Sequence, residues 1–162
     1  MAVETPTSAG ETTQERVDRE LTELLNELRI LLPGVQLVFA FLLTAPFSSA
    51  FDELTTPEHV AYIIAFAASA VASVLLIAPV VHHRARFRQG DKEALLKQAN
   101  ELSLVAVGML GVALAATTFV VFSFVVAPWA GALAAATVVA IELWLWVGRV
   151  AARPTLEERR GR

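Results

Sequence analysis

All 13 Lys and Arg residues of this 162-residue chain fall in three blocks, Arg16 to Arg29, Arg84 to Lys97 and Arg149 to Arg162. No charged residue of either sign occurs from Ile30 to Phe51, from Val60 to Val81 or from Leu102 to Ile141. A helix that crosses the hydrocarbon layer needs roughly 20 apolar residues, each advancing it by about 1.5 Å. The first two stretches each supply one crossing and the third supplies two. The reading is an all-α, integral membrane four-helix bundle of two transmembrane hairpins. Its crossings lie at about 33–51, 59–81, 102–126 and 129–148, within a transmembrane domain 33–150. The 56% hydrophobic content is contiguous, whereas a soluble domain would spread it periodically.

The same blocks predict orientation, because basic residues are retained on the cytoplasmic side. Segment Ser48–Glu58 carries Asp52, Glu53 and Glu58 with no base, and Ala127–Gly131 carries no charge. Both are read as outer loops, with the His82–Glu101 loop and both termini inside. Trp129 marks the outer interface, and Trp144 with Trp146 the inner one. With heavy Arg-over-Lys and Ala/Val usage suggesting a bacterial source, the expected address is the bacterial plasma (inner) membrane, multi-pass, with the lipid bilayer as first partner. The first apolar run is read as retained, since net acidic residues precede it and "TAPFSSAF" is a poor cleavage site.

Outside the crossings, residues 1–14 read as a disordered tail rich in Thr, Ser and Pro, and 151–162 as a basic disordered tail. Residues 15–32 read as an amphipathic interfacial helix. Val17, Leu21, Leu24, Leu28 and Leu31 share one face at three- and four-residue spacing. Glu15/Arg19, Arg16/Glu20 and Arg19/Glu23 are opposite charges four apart on the other. The apolar face is a candidate surface for lipid or for a docking partner. Pro33-Gly34 is expected to break this helix before the first crossing. A second lead-in starts after Gly90, with Asp91 as its N-cap.

Small residues recur every four positions within the crossings: Ala61, Ala65, Ser69 and Ser73; Gly111 and Ala115; Ala132, Ala136 and Ala140. Such ladders let helix backbones approach closely where lipid is as apolar as the side chains. Packing inside the chain and a homodimer or membrane-protein partner are both ways to use them. Pro46 and Pro79 are expected to kink their helices.

Glu142 is the one acid or base well inside an apolar span. A carboxylate there is costly unless protonated, paired or wetted, which makes it a candidate proton or ion site. Trp146 follows on the same face, and Gln36, His82 and Asn100 fall at a similar depth. The alternative is a carboxylate bonded to one polar neighbour that holds the helices in register. His82-His83 cannot chelate one ion together, because adjacent helical residues point apart. No metal or cofactor site is read, and the chain contains no Cys. Walker-type loops and a Ser/His/Asp set are also absent, so no enzyme and no nucleic-acid binder is expected. No small-molecule substrate can be named.

The stretches "ERVDRELTELLNELRILLPGVQLVFAFLLTAPFSSAF" and "LLIAPVVHHRARFRQGDKEALL" resemble an actinobacterial family of small four-helix integral membrane proteins classed as a domain of unknown function. The resemblance covers Glu15 to Ala115 and is most specific at Leu25–Gln36, Ala45–Phe51 and Ala78–Lys92. Some members are labelled sodium:proton antiporter, but no family site carries over to this chain. Two functions follow. The leading one is a non-enzymatic accessory or scaffold protein acting by helix packing and partner docking. The other is a small dimeric proton-coupled cation transporter or channel using Glu142.

Overall fold

The computed structural model describes residues 12–86 and 92–148. It is all-helical over these: α1 (Thr13–Thr44), α2 (Thr56–Arg86), α3 (Lys92–Val125) and α4 (Pro128–Leu143), the last running on as a π-helical turn, Trp144–Gly148. Two 3-10 turns, Ala45–Phe47 and Ser49–Glu53, join α1 to α2. Four helical stretches are long and apolar enough to cross a membrane: Glu15–Phe47, Thr56–Pro79, Leu96–Val125 and Pro128–Trp146. The chain before Thr12, the Asp91 cap and the segment after Gly148 lie outside the described residues, as does the side chain of His82.

Pro33-Gly34 does not break α1, which runs 32 residues through it. The buried positions explain why. Leu21, Leu28, Val35 and Leu42 are buried at seven-residue intervals, and half-buried Leu24, Leu31 and Val38 fill the positions between. This repeat passes Pro33 without a change of phase, so one face serves both halves. A proline inside a helix costs about 3 kcal/mol through its lost hydrogen bond and ring clash. Here Leu28 and Val35, on either side of it, lock into one cluster with Ala72, Leu76 and Ala106. Pro33 and Gly34 are themselves exposed.

The apolar face read as a docking surface is therefore turned inward. Val17, Leu21 and Leu28 are buried, with Leu24 and Leu31 half-buried. On the opposite flank Arg16 pairs with Glu20 (3.1 Å) and Arg19 with Glu23 (3.3 Å), while Glu15 closes a capping box with Thr12. At 1.5 Å per residue α1 is about 48 Å long, well beyond a hydrocarbon layer of about 30 Å. The 34-residue α3 likewise absorbs the second lead-in.

Pro46 ends α1 rather than kinking it, since it lies in the 3-10 turn beyond Thr44. Having no N–H, it leaves the Leu42 carbonyl without its usual donor. The Tyr62 hydroxyl of α2 takes that place, donating to Leu42 O at 2.7 Å in a buried setting. Tyr62 is fixed in turn by an edge contact with Phe51 (4.9 Å) and a stacked one with Phe66 (6.3 Å). Pro79 lies buried inside α2.

α3 is the hub: α1, α2 and α4 all touch it, and its interface with α2 is the most extensive. Ala99, Ala106 and Ala113, seven apart and almost fully buried, form one of its faces, with Ala106 packed among α1 and α2 residues. On α2, Ala65, Ser69, Ala72 and Leu76 are buried. The Ser69 and Ser73 hydroxyls donate to carbonyls of their own helix at 2.9 Å and so add no unpaired polar group. Seven-residue spacing of small residues is the pattern of closely approaching, left-handed helix pairs.

The four apolar helices of the sequence reading are present, and the fourth joins the others through α3. Among the described helices α4 packs on α3 alone. It does so through Ala130 and Gly131, which are buried, while Ala132, Ala136 and Ala140 are exposed. The four-residue ladder is thus offset from the face that packs.

Tyr62→Phe should lower stability by about 1–3 kcal/mol, because the Leu42 carbonyl loses its one replacement donor. Reversible unfolding in mixed micelles would measure it, with Phe66→Leu as a control for ring packing.

Candidate functional site

The interface of α3 with α4 is built on three glycines. A Cβ at Gly131 would come within 2.7 Å of the Phe119 carbonyl oxygen and 2.9 Å of the Ser123 nitrogen, so the two backbones touch. Further along, a Cβ at Gly111 would meet Glu142 Oε2 at 2.7 Å, and one at Gly108 would meet the Trp146 ring at 3.8 Å. Antiparallel packing therefore seats the Glu142/Trp146 pair of α4 on the Gly111/Gly108 pair of α3.

Glu142 is half-buried in this seam, facing α3. No described residue gives its carboxylate a hydrogen bond or an ion pair. The register-holding partner considered from sequence is thus missing among the described residues, and what holds the carboxylate is van der Waals contact with a glycine. An unpaired ionised carboxylate held away from water costs several kcal/mol.

Two adjoining cavities open at the Trp146 end. One, of about 560 Å³, lies between α1, α3 and the π-helical turn, with Glu27, Asn100, Ser103 and Trp146 as its polar lining. The other, of about 540 Å³, continues along α1 and α3 and includes Arg16, Glu20, Glu23 and Lys97. Glu27 and Asn100 line both. Of the residues proposed from sequence, Trp146 and Asn100 meet at the first cavity, and Glu142 lies one helical turn from Trp146. Gln36 is exposed on α1 and lines neither cavity.

Two carboxylates escape the sequence reading. Glu27 looks there like one more acid on a mixed polar face, and only the approach of α3 makes it a cavity residue. Glu58 reads as an outer-loop acid but is buried, accepting from the Thr55 N–H (2.7 Å) and hydroxyl (2.8 Å), with buried Ser123 of α3 beside it. Its signal is present: Thr55-Thr56-Pro57-Glu58 is the Ser/Thr-x-x-Glu capping pattern, as is Thr12 to Glu15. Among the described residues no group of three His, Asp or Glu side chains is placed to hold a metal.

Fold and site together define a helical protein with four candidate membrane-crossing helices, a carboxylate in a helix seam and a polar-lipped cavity at one end. The chain belongs to the family of unknown function DUF6328, whose model matches residues 10–149. That match runs through α4 and takes in Glu142, well past the Glu15–Ala115 resemblance. No curated protein and no solved structure matches the chain.

Gly131→Ala should destabilise the α3/α4 interface by about 1–3 kcal/mol, because the methyl meets backbone that cannot yield. Gly111→Ala should cost less, since the obstructing atoms are the movable end of Glu142. Glu142→Gln should leave stability unchanged or raised, as no described partner is lost. Unfolding of the three variants in one detergent system ranks them.

Proposed function

We propose that this protein is a multi-pass protein of the bacterial plasma membrane, with both termini cytoplasmic, that works without catalysis by packing against another membrane helix. The observation that carries this reading is that α4 has α3 as its one neighbour among the described helices. Its Ala132/Ala136/Ala140 face is left uncovered, and small residues on a lipid-facing helix favour close helix association. The surface offered to the partner is thus this face of α4, not the Val17–Leu31 face of α1. Orientation rests on the three basic blocks and on Trp129 lying at the opposite end of α4 from Trp144 and Trp146.

A second reading is favoured by Glu142. A carboxylate without a described partner in a candidate span is the feature expected of a proton or cation carrier, in keeping with the antiporter label of the resembling family. On this reading the protein is a small dimeric proton-coupled transporter or channel.

The absence of Cys makes the chain a ready background for both tests. A Cys at Asp52 should react with an impermeant maleimide in intact cells, and one at Lys97 only after permeabilisation; the reverse pattern would overturn the orientation. Differently tagged copies, or a tagged copy and a membrane partner, should co-purify, and Ala136→Leu should abolish this without loss of helical content. Proton or cation flux in proteoliposomes that Glu142→Gln abolishes would instead establish the second reading.

A further inference from the structure

We propose that the cavity at the Trp146 end binds an amphipathic organic cation, a single positive charge on a hydrophobic body. Its volume, about 560 Å³, lies within the range of small-molecule sites, roughly 300–1,000 Å³. Leu24, Leu28 and Leu31 of α1 supply one apolar wall, and Leu104 and Val107 of α3 face them. Against this apolar body stand very few polar groups, and their chemistry selects the sign of the ligand.

The cavity is an open groove, and Glu27, exposed at its mouth, is the one charged side chain lining it among the described residues. Its neighbours Glu20 and Glu23 are engaged by Arg16 and Arg19 on their own helix. Glu27 has no hydrogen bond or ion pair with any described residue, and Lys97, in the adjoining cavity, forms none with it. The Ser103 hydroxyl donates to the Ala99 carbonyl at 2.8 Å, so it presents acceptor lone pairs to the cavity rather than its proton. Trp146, seated on Gly108, adds an indole, the aromatic ring that attracts cations most strongly.

An anion would meet Glu27 with like charge. A lone acyl chain would fill the leucine wall but make no use of the carboxylate at its mouth. A hydrophobic cation satisfies both surfaces at once. Its site is distinct from the α4 face proposed for helix packing, so either assignment can fail without the other.

The test uses the full chain in lipid nanodiscs with two probes of one shape and opposite charge, tetraphenylphosphonium and tetraphenylborate, followed by calorimetry. Saturable phosphonium binding at one per chain is expected, weakened roughly tenfold by Glu27→Gln. Trp146→Leu should weaken it a few-fold. Glu27→Lys, with unchanged helical content, should reverse the preference toward tetraphenylborate, which loss of structure would not do. No saturable phosphonium binding to the folded wild type, equal affinity in Glu27→Gln, or borate bound as tightly as phosphonium would each overturn the proposal. Association of tagged copies, read separately, reports only on α4.

Discussion

Close approach to the backbone of α3 is the constraint on which the rest of this structure depends. Between apolar helices in lipid no hydrophobic force acts, so association needs van der Waals contact over small side chains. α3 provides this twice, on different faces. Ala99, Ala106 and Ala113 form the face that holds α1 and α2, and Gly108, Gly111 and Ala115 form the face used by α4. The α4 contact depends on glycines, because a Cβ at Gly131 would collide with the α3 backbone. α1 touches both α2 and α3, whereas α4 has α3 as its one neighbour among the described helices.

Two buried polar side chains sit where a helix begins or ends. Tyr62 replaces the donor that Pro46 lacks, and Glu58, beside Ser123 of α3, satisfies Thr55 at the start of α2. Both tie the Trp129 end together. The Trp146 end is different: Glu27, Glu142 and Asn100 gather around cavities and a glycine seam. The Trp129 end is tied by these hydrogen bonds between helices, and the Trp146 end is where carboxylates line cavities and a helix seam.

The legibility of these features in sequence varies with their range. Charge exclusion reads directly, because each charged residue in a span costs several kcal/mol, so long stretches with none or one stand out and four apolar helices result. The continuity of α1 was also within reach, since the spacing that joins Val17 to Leu31 continues through Val35, Val38 and Leu42. A local rule about proline concealed it, and tertiary packing on both sides of Pro33 overrode that rule. The Thr12–Glu15 capping box and the Thr55–Glu58 pairing were readable as well. The cavity residue Glu27 was not, because a residue gains that role only when a second helix arrives.

Sequence by itself determined that this chain is helical, how many of its helices can cross a membrane and which residues are kept out of them. Those properties follow from single-residue transfer costs summed along a segment. Tertiary structure alone decided which small-residue face packs and which stays bare, that Glu142 rests on Gly111, and that Glu27 meets Asn100 and Trp146 across a cavity. Ala132/Ala136/Ala140 and the Gly131 face are neighbours on one helix with nearly equal composition. Only the fit of one backbone against another distinguishes them.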